Sequence, residues 1–124
     1  MKTKRLFTLL VSMFVLGISV CCGQELINMQ HIGNHNDHFN IPVPADMPDV
    51  YYNNSTQTVI IDGGGEVNYY DVEIISLTSM NTVISTQVNG YYDTIDVSSL
   101  PEAEYGIFIY SPTGNSFEGF FEIY

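Results

Sequence analysis

Past residue 23 this chain has no lysine, no arginine and no cysteine, and it has no tryptophan anywhere. The charge follows directly: the whole chain stands at −11, and setting aside its three cations, Lys2, Lys4 and Arg5, leaves 14 acids and a net −14 for residues 24–124, with histidine neutral. Average composition would put on the order of a dozen Lys and Arg into that length. Nucleic acid is excluded as a partner, because phosphates need cations to displace their counterions. Docking by charge onto an anionic membrane is excluded likewise. Without cysteine there is no disulfide framework, so the fold must stand on its apolar core. Without tryptophan, the aromatic part of that core falls to tyrosine and phenylalanine. The missing cations have two readings. One is solubility, which added acids favour; the other is adaptation to a trypsin-rich setting such as a gut lumen, where the chain would offer no cleavage site. Carboxylates without cationic partners repel one another, so crowding is expected to raise their pKa, and salt or calcium to stabilise the fold near neutral pH.

The three cations open a leader. Leu6 to Val20 is an apolar run followed by small residues, too short to span about 30 Å of hydrocarbon comfortably. Residues 1–23 are expected to be a signal peptide, cut after Gly23. The alternative is a lipid anchor on Cys21 or Cys22, although Ile18-Ser19-Val20 places valine where such signals usually have a small residue. Either way the protein is exported, to the periplasm, the cell surface or the medium. Residues 24–38 are polar and read as a flexible tether. Within them His31, His35 and His38 have a spacing that can converge on zinc or copper if the segment folds. Gly33 and three asparagines argue against the helix that would align them.

The rest, residues 39–124, reads as strand after strand with no helical period. Phe39 to Val43 alternates around Pro42, which confines it to an edge, and Val50 to Tyr52 continues that edge after a break. Thr58 to Asp62 is a strand core, and Gly63-Gly64-Gly65 a tight turn. No Lys follows those glycines, so a phosphate loop is excluded; Asp62 and Glu66 beside them are a weak divalent-cation candidate. In Tyr70 to Ile74 the odd positions are polar and the even ones apolar, until Ile75 and Leu77 reverse the parity, which marks a bulge or a strand end. Thr82 to Val88 follows, then Asn89-Gly90, a strong hairpin signal, with Tyr92 to Val97 pairing back. Tyr105, Ile107 and Ile109 share one strand face, as do Phe117, Gly119, Phe121 and Ile123, with Ser111 to Asn115 turning between. Leu100-Pro101 before Tyr105 fits a tyrosine corner, in which the phenol ties a strand start to the preceding backbone. The expectation is an all-β, immunoglobulin-like antiparallel β-sandwich of about seven strands.

These segments also carry a family likeness. N-I-P-V-P-A from Asn40, T-V-I-I, D-V-E-I, L-P-E-A-E-Y and F-E-G-F-F-E-I resemble the small secreted gut-bacterial proteins of domain of unknown function 3244. The likeness runs from Asn40 to Tyr124, with Ala103 standing where such sequences usually have glycine. It implies an immunoglobulin-like sandwich, export and no assigned activity. I-D-V-S-S-L-P-x-x-x-Y also resembles the sorting domains of the type IX secretion pathway, but those close on a basic strand and this chain closes on an acidic one.

For function the residues favour a non-catalytic secreted or cell-envelope binding module. No histidine follows His38 and no cysteine follows Cys22, which leaves little for an enzyme, and no cofactor is expected. Phe108, Tyr110, Phe120 and Tyr124 are the candidate interaction strip across the last two strands, for an unidentified protein or a glycan. The alternative is a structural or assembly subunit pairing through an open edge, with Asn40 to Ala45 as the candidate strand.

Overall fold

The alternation in the sequence becomes strand. The computed structural model describes residues 23–32 and 44–124, in which nine strands form two antiparallel sheets and no helix occurs. One sheet has the order β1 (Gln24–Ile27), β3 (Asp49–Asn53), β4 (Thr58–Asp62), β7 (Tyr92–Asp96). The other has the order β2 (Gln30–Ile32), β9 (Ser116–Ile123), β8 (Ala103–Tyr110), β5 (Tyr69–Ser76), β6 (Thr82–Asn89).

The inward positions of both sheets meet in one core. Val50, Tyr52, Val59 and Ile61 face Val72, Ile74, Ile107 and Ile109 across it, all buried. Each such aliphatic contributes about 1.5–3 kcal/mol, which is how the domain stands without a disulfide. Tyr52 and Tyr105 flank Phe121 at centroid distances of 5.4 and 5.7 Å. Buried phenols need partners. The Tyr105 hydroxyl donates to the Pro101 carbonyl at 2.6 Å, so the expected tyrosine corner is present. Tyr70 donates to the Asp46 carbonyl at 2.8 Å, and burial, with the charges of Asp46 and Glu66, pushes its pKa up to about 12.

Two expectations need correction. Residues 24–32, read as part of a tether, are instead paired in both sheets: β1 runs beside β3 and β2 beside β9. With β1 and β2 added, the described strands number nine rather than seven. The reason is an alternation too short to stand out: Ile27 and Met29 are buried, and the chain switches sheets between them. Gly119 of β9 makes the crossing fit, since a Cβ there would lie 2.6 Å from Met29 Sδ and 2.7 Å from Ile27 Cγ2. Residues 33–38, and the edge strand expected at Phe39 to Val43, lie outside the described residues.

The second correction concerns Asn89-Gly90. The chain turns there, but β6 pairs with β5 and β7 pairs with β4, so the turn is a corner between sheets and not a hairpin. The Asn89 side chain accepts from the Tyr91 and Tyr92 amides at 2.9 and 2.8 Å, which holds the turn. Gly90 passes so close to the Val67 carbonyl that no Cβ fits. The triple glycine is a clasp on this corner: the Gly63 and Gly64 amides donate to the Tyr91 carbonyl, and the Gly65 amide to that of Gly90. The parity break at Ile75 is a register shift against β6, where Ile74 faces Ile84 but Ile75 faces Thr82, leaving Val83 as the extra residue.

Candidate functional site

The outer face of the five-stranded sheet follows from its register. Phe108 of β8 lies between Glu73 of β5 and Glu118 of β9. One step along, Gly106 lies between Ile75 and Phe120, and one step the other way Tyr110 lies between Asp71 and Ser116. Glu104 and Glu122 stand directly opposite each other. Gly106 is bare backbone, and the rings of Phe108 and Phe120 come within 3.3 and 3.5 Å of where its Cβ would be. Aromatic neighbours covering a strand glycine is a recurrent way to stabilise such a site. The cover is incomplete, since Phe120 remains 57% exposed and Tyr110 37%. Burial raises the Tyr110 pKa, and the Glu73 carboxylate beside it adds to the shift.

Phe108, Tyr110 and Phe120 therefore form one strip, and Tyr124 does not join it. The Tyr124 hydroxyl donates to Glu25 of β1, tying the C-terminal residue to the first strand. Burial first, and then that carboxylate, raises its pKa. Among the candidate metal ligands, His31 sits on β2 opposite Phe117, ring centroids 5.6 Å apart, while His35 and His38 lie outside the described residues. Among the described residues no three His, Cys, Asp or Glu side chains converge as a metal-holding set. Asp62 faces Asp49 across the β3–β4 pair, two like charges directly opposed.

One buried acid escaped the sequence reading. Asp46 is 7% exposed and accepts from Thr113 Oγ1 at 2.6 Å and from Asn115 Nδ2 at 3.0 and 3.3 Å. With the Tyr70 phenol on its carbonyl, it clamps the turn at Pro44–Met47 to the β8–β9 turn and to β5. Burial alone would raise its pKa, but hydrogen bonds from Ser111, Thr113 and Asn115 outweigh that and hold it below the ordinary carboxylate range. Asp96 is also lowered, by its hydrogen bonds with Ser98. Both shifts run opposite to the rise expected from crowding, because local donors decide them. No sequence signal marks Asp46, whose partners lie 67 and 69 residues away.

Comparison with solved structures matches this arrangement to a crystal structure from Bacteroides vulgatus ATCC 8482, with a TM-score of 0.62 over 82% of this chain and 99% of that one. That structure is a DUF3244 family protein with an immunoglobulin-like β-sandwich fold. The fold here is an immunoglobulin-like β-sandwich. At 15% identity the likeness is one of fold, and it falls on the family that the C-terminal motifs resemble. No family model matches the sequence, and no curated protein matches it. Within the sandwich, Tyr105 stands at the start of β8 and ties back to the corner after β7, the place a tyrosine corner takes in this fold. Nothing in the sandwich's own architecture fixes a ligand, so function has to be argued from the surface.

Proposed function

We propose that this protein is an exported, non-catalytic interaction module, kin to the DUF3244 proteins, that binds a cationic protein segment on the outer face of its five-stranded sheet. One observation carries the reading: the exposed Phe120, beside Phe108 and Tyr110, sits among Glu73, Glu104, Glu118 and Glu122 with no Lys or Arg in residues 24–124 to neutralise them. Glu104 stands directly opposite Glu122, and like charges so placed cost stability. A guanidinium or ammonium arriving there relieves that repulsion. It also gains about 0.5–1 kcal/mol over an exposed ring, and the single-sign field speeds its encounter.

Export is supported by the basic start and the apolar run from Leu6 to Val20. The expected cut after Gly23 would leave Gln24, where β1 begins, as the first residue. Acylation of Cys21 or Cys22 would instead hold the sandwich at a membrane, and intact mass of the recovered protein distinguishes the two.

The binding test is a calorimetric titration with an arginine-rich peptide and, separately, with a neutral oligosaccharide. The expected result is peptide binding that weakens with salt and falls about fivefold in Phe120→Ala, the loss of about 1 kcal/mol of ring contact. Binding that ignores both salt and the substitution, or oligosaccharide binding in place of peptide, would refute the proposal.

A further inference from the structure

The edges of the two sheets are unequal. Among the described residues β1 carries Glu25, β7 carries Asp93 and Asp96, and β2 has only 3 residues. By contrast β6 has 8 residues, none charged and none proline, in the burial order exposed at every position but Ile84 and Val88. Proteins ordinarily blunt such an edge with charge, proline, a bulge or brevity. Here the one device is the extra residue Val83 near its start, which leaves Ile84 to Asn89 in regular register with β5. The neutrality extends beyond the strand: no acid lies between Glu73 and Asp93, in a chain with 14 of them.

We infer that β6 is the edge through which two copies of this protein pair, antiparallel about a two-fold axis, to give one continuous sheet with five strands from each copy. The charges select the occupant. Pairing through β1 or β7 would bring Glu25, or Asp93 and Asp96, into the junction along with the same acids of the second copy. At β6 the nearest row of acids is Asp71 and Glu73 on β5. Across the new junction the two β5 strands are three strand spacings apart, about 14 Å, which exceeds the Debye length of about 8 Å at physiological salt. A second copy is tolerated there, repelled at β1 and β7, and offered only 3 residues at β2.

The register is also constrained. Opposed side chains share a face only when their positions have the same parity. Placing Thr86 on the axis sets Ile84 against Val88 of the second copy, Ser85 against Gln87, and Thr86 against itself. It leaves Val83 at the margin, and with it Asp93, which is tied to the Asn89 amide. Thr pairs and β-branched pairs are favourable cross-strand neighbours. This inference rests on the edge and not on the aromatic face, so either can fail without the other.

The test is sedimentation equilibrium of the protein recovered after export, from micromolar to millimolar concentration, at low salt and at about 0.5 M salt. The expected result is a shift toward twice the monomer mass, stronger at high salt. Thr86 is exposed, so Thr86→Lys and Thr86→Glu should fold, and each should abolish the shift by placing like charges on the axis. An equimolar mixture of the two variants should restore it. A protein that stays monomeric throughout, or one whose association survives both substitutions, would overturn the inference.

Discussion

Asp46 offers the sharpest test of how the sandwich is locked, because its carboxylate alone ties the turn at Pro44–Met47 to the β8–β9 turn. Replacing it with alanine removes two hydrogen bonds to a charged acceptor, at 2.6 Å from Thr113 and 3.0 Å from Asn115. Such bonds are worth about 1.5–3 kcal/mol each. Thr113 is exposed and can turn to water, so the net loss should be about 2–4 kcal/mol, or a melting temperature lower by roughly 10 °C or more. Urea unfolding should show the loss as a lower midpoint at unchanged slope. The pH dependence supplies a second readout. The folded pKa lies below the ordinary 3.8, so the unfolded chain takes up a proton first. The stabilisation is complete above that value and is lost as pH falls through the lower folded one. The gap between wild type and Asp46→Asn should therefore close on acidification below about pH 4. An Asp46→Ala protein with an unmoved midpoint, or a gap that acid leaves untouched, would refute the reasoning.

Three further outcomes follow from the packing and the register. Gly119→Val should dislodge the sheet-switching segment, since Met29 and Ile27 already occupy the space; overpacking of this kind costs about 1–3 kcal/mol, and amide exchange should rise across residues 24–32 first. Tyr105→Phe deletes the 2.6 Å bond to Pro101 while keeping the ring, and should cost about 1 kcal/mol in urea unfolding. Glu122→Lys converts a like-charge pair with Glu104 into an opposite one. It should stabilise by about 0.2–1 kcal/mol, with the gain shrinking as salt is added.

Much of the fold was legible because period-two alternation reports which side chains are buried. Tyr70, Val72 and Ile74, and likewise Tyr105, Ile107 and Ile109, point inward as their spacing required. The parity reversal at Ile75 marked a real register shift. What stayed hidden depended on distant partners. Ile27 and Met29 alternate, but with Ile27 ending β1 and Met29 in the link before β2, the pattern is too brief to separate from a tether. Asn89-Gly90 has the chemistry of a reversal, yet turn residues do not specify which sheet receives the next strand; the clasp of Gly63 to Gly65 on that corner does. At the candidate site, alternation placed Phe108, Tyr110 and Phe120 on one face. It could not show that Tyr124 reaches across to Glu25, a contact spanning 99 positions. The acids flanking the strip on β5 became visible only with the β5–β8 register.

The most direct test of the account is amide shift mapping by NMR during titration with an arginine-rich peptide. The largest changes are predicted along the central strands of the five-stranded sheet, at Glu73, Phe108, Glu118 and Phe120, with the four-stranded sheet silent. Changes confined to the loops at the ends of the sandwich, or spread evenly over its acids, would contradict a defined binding face.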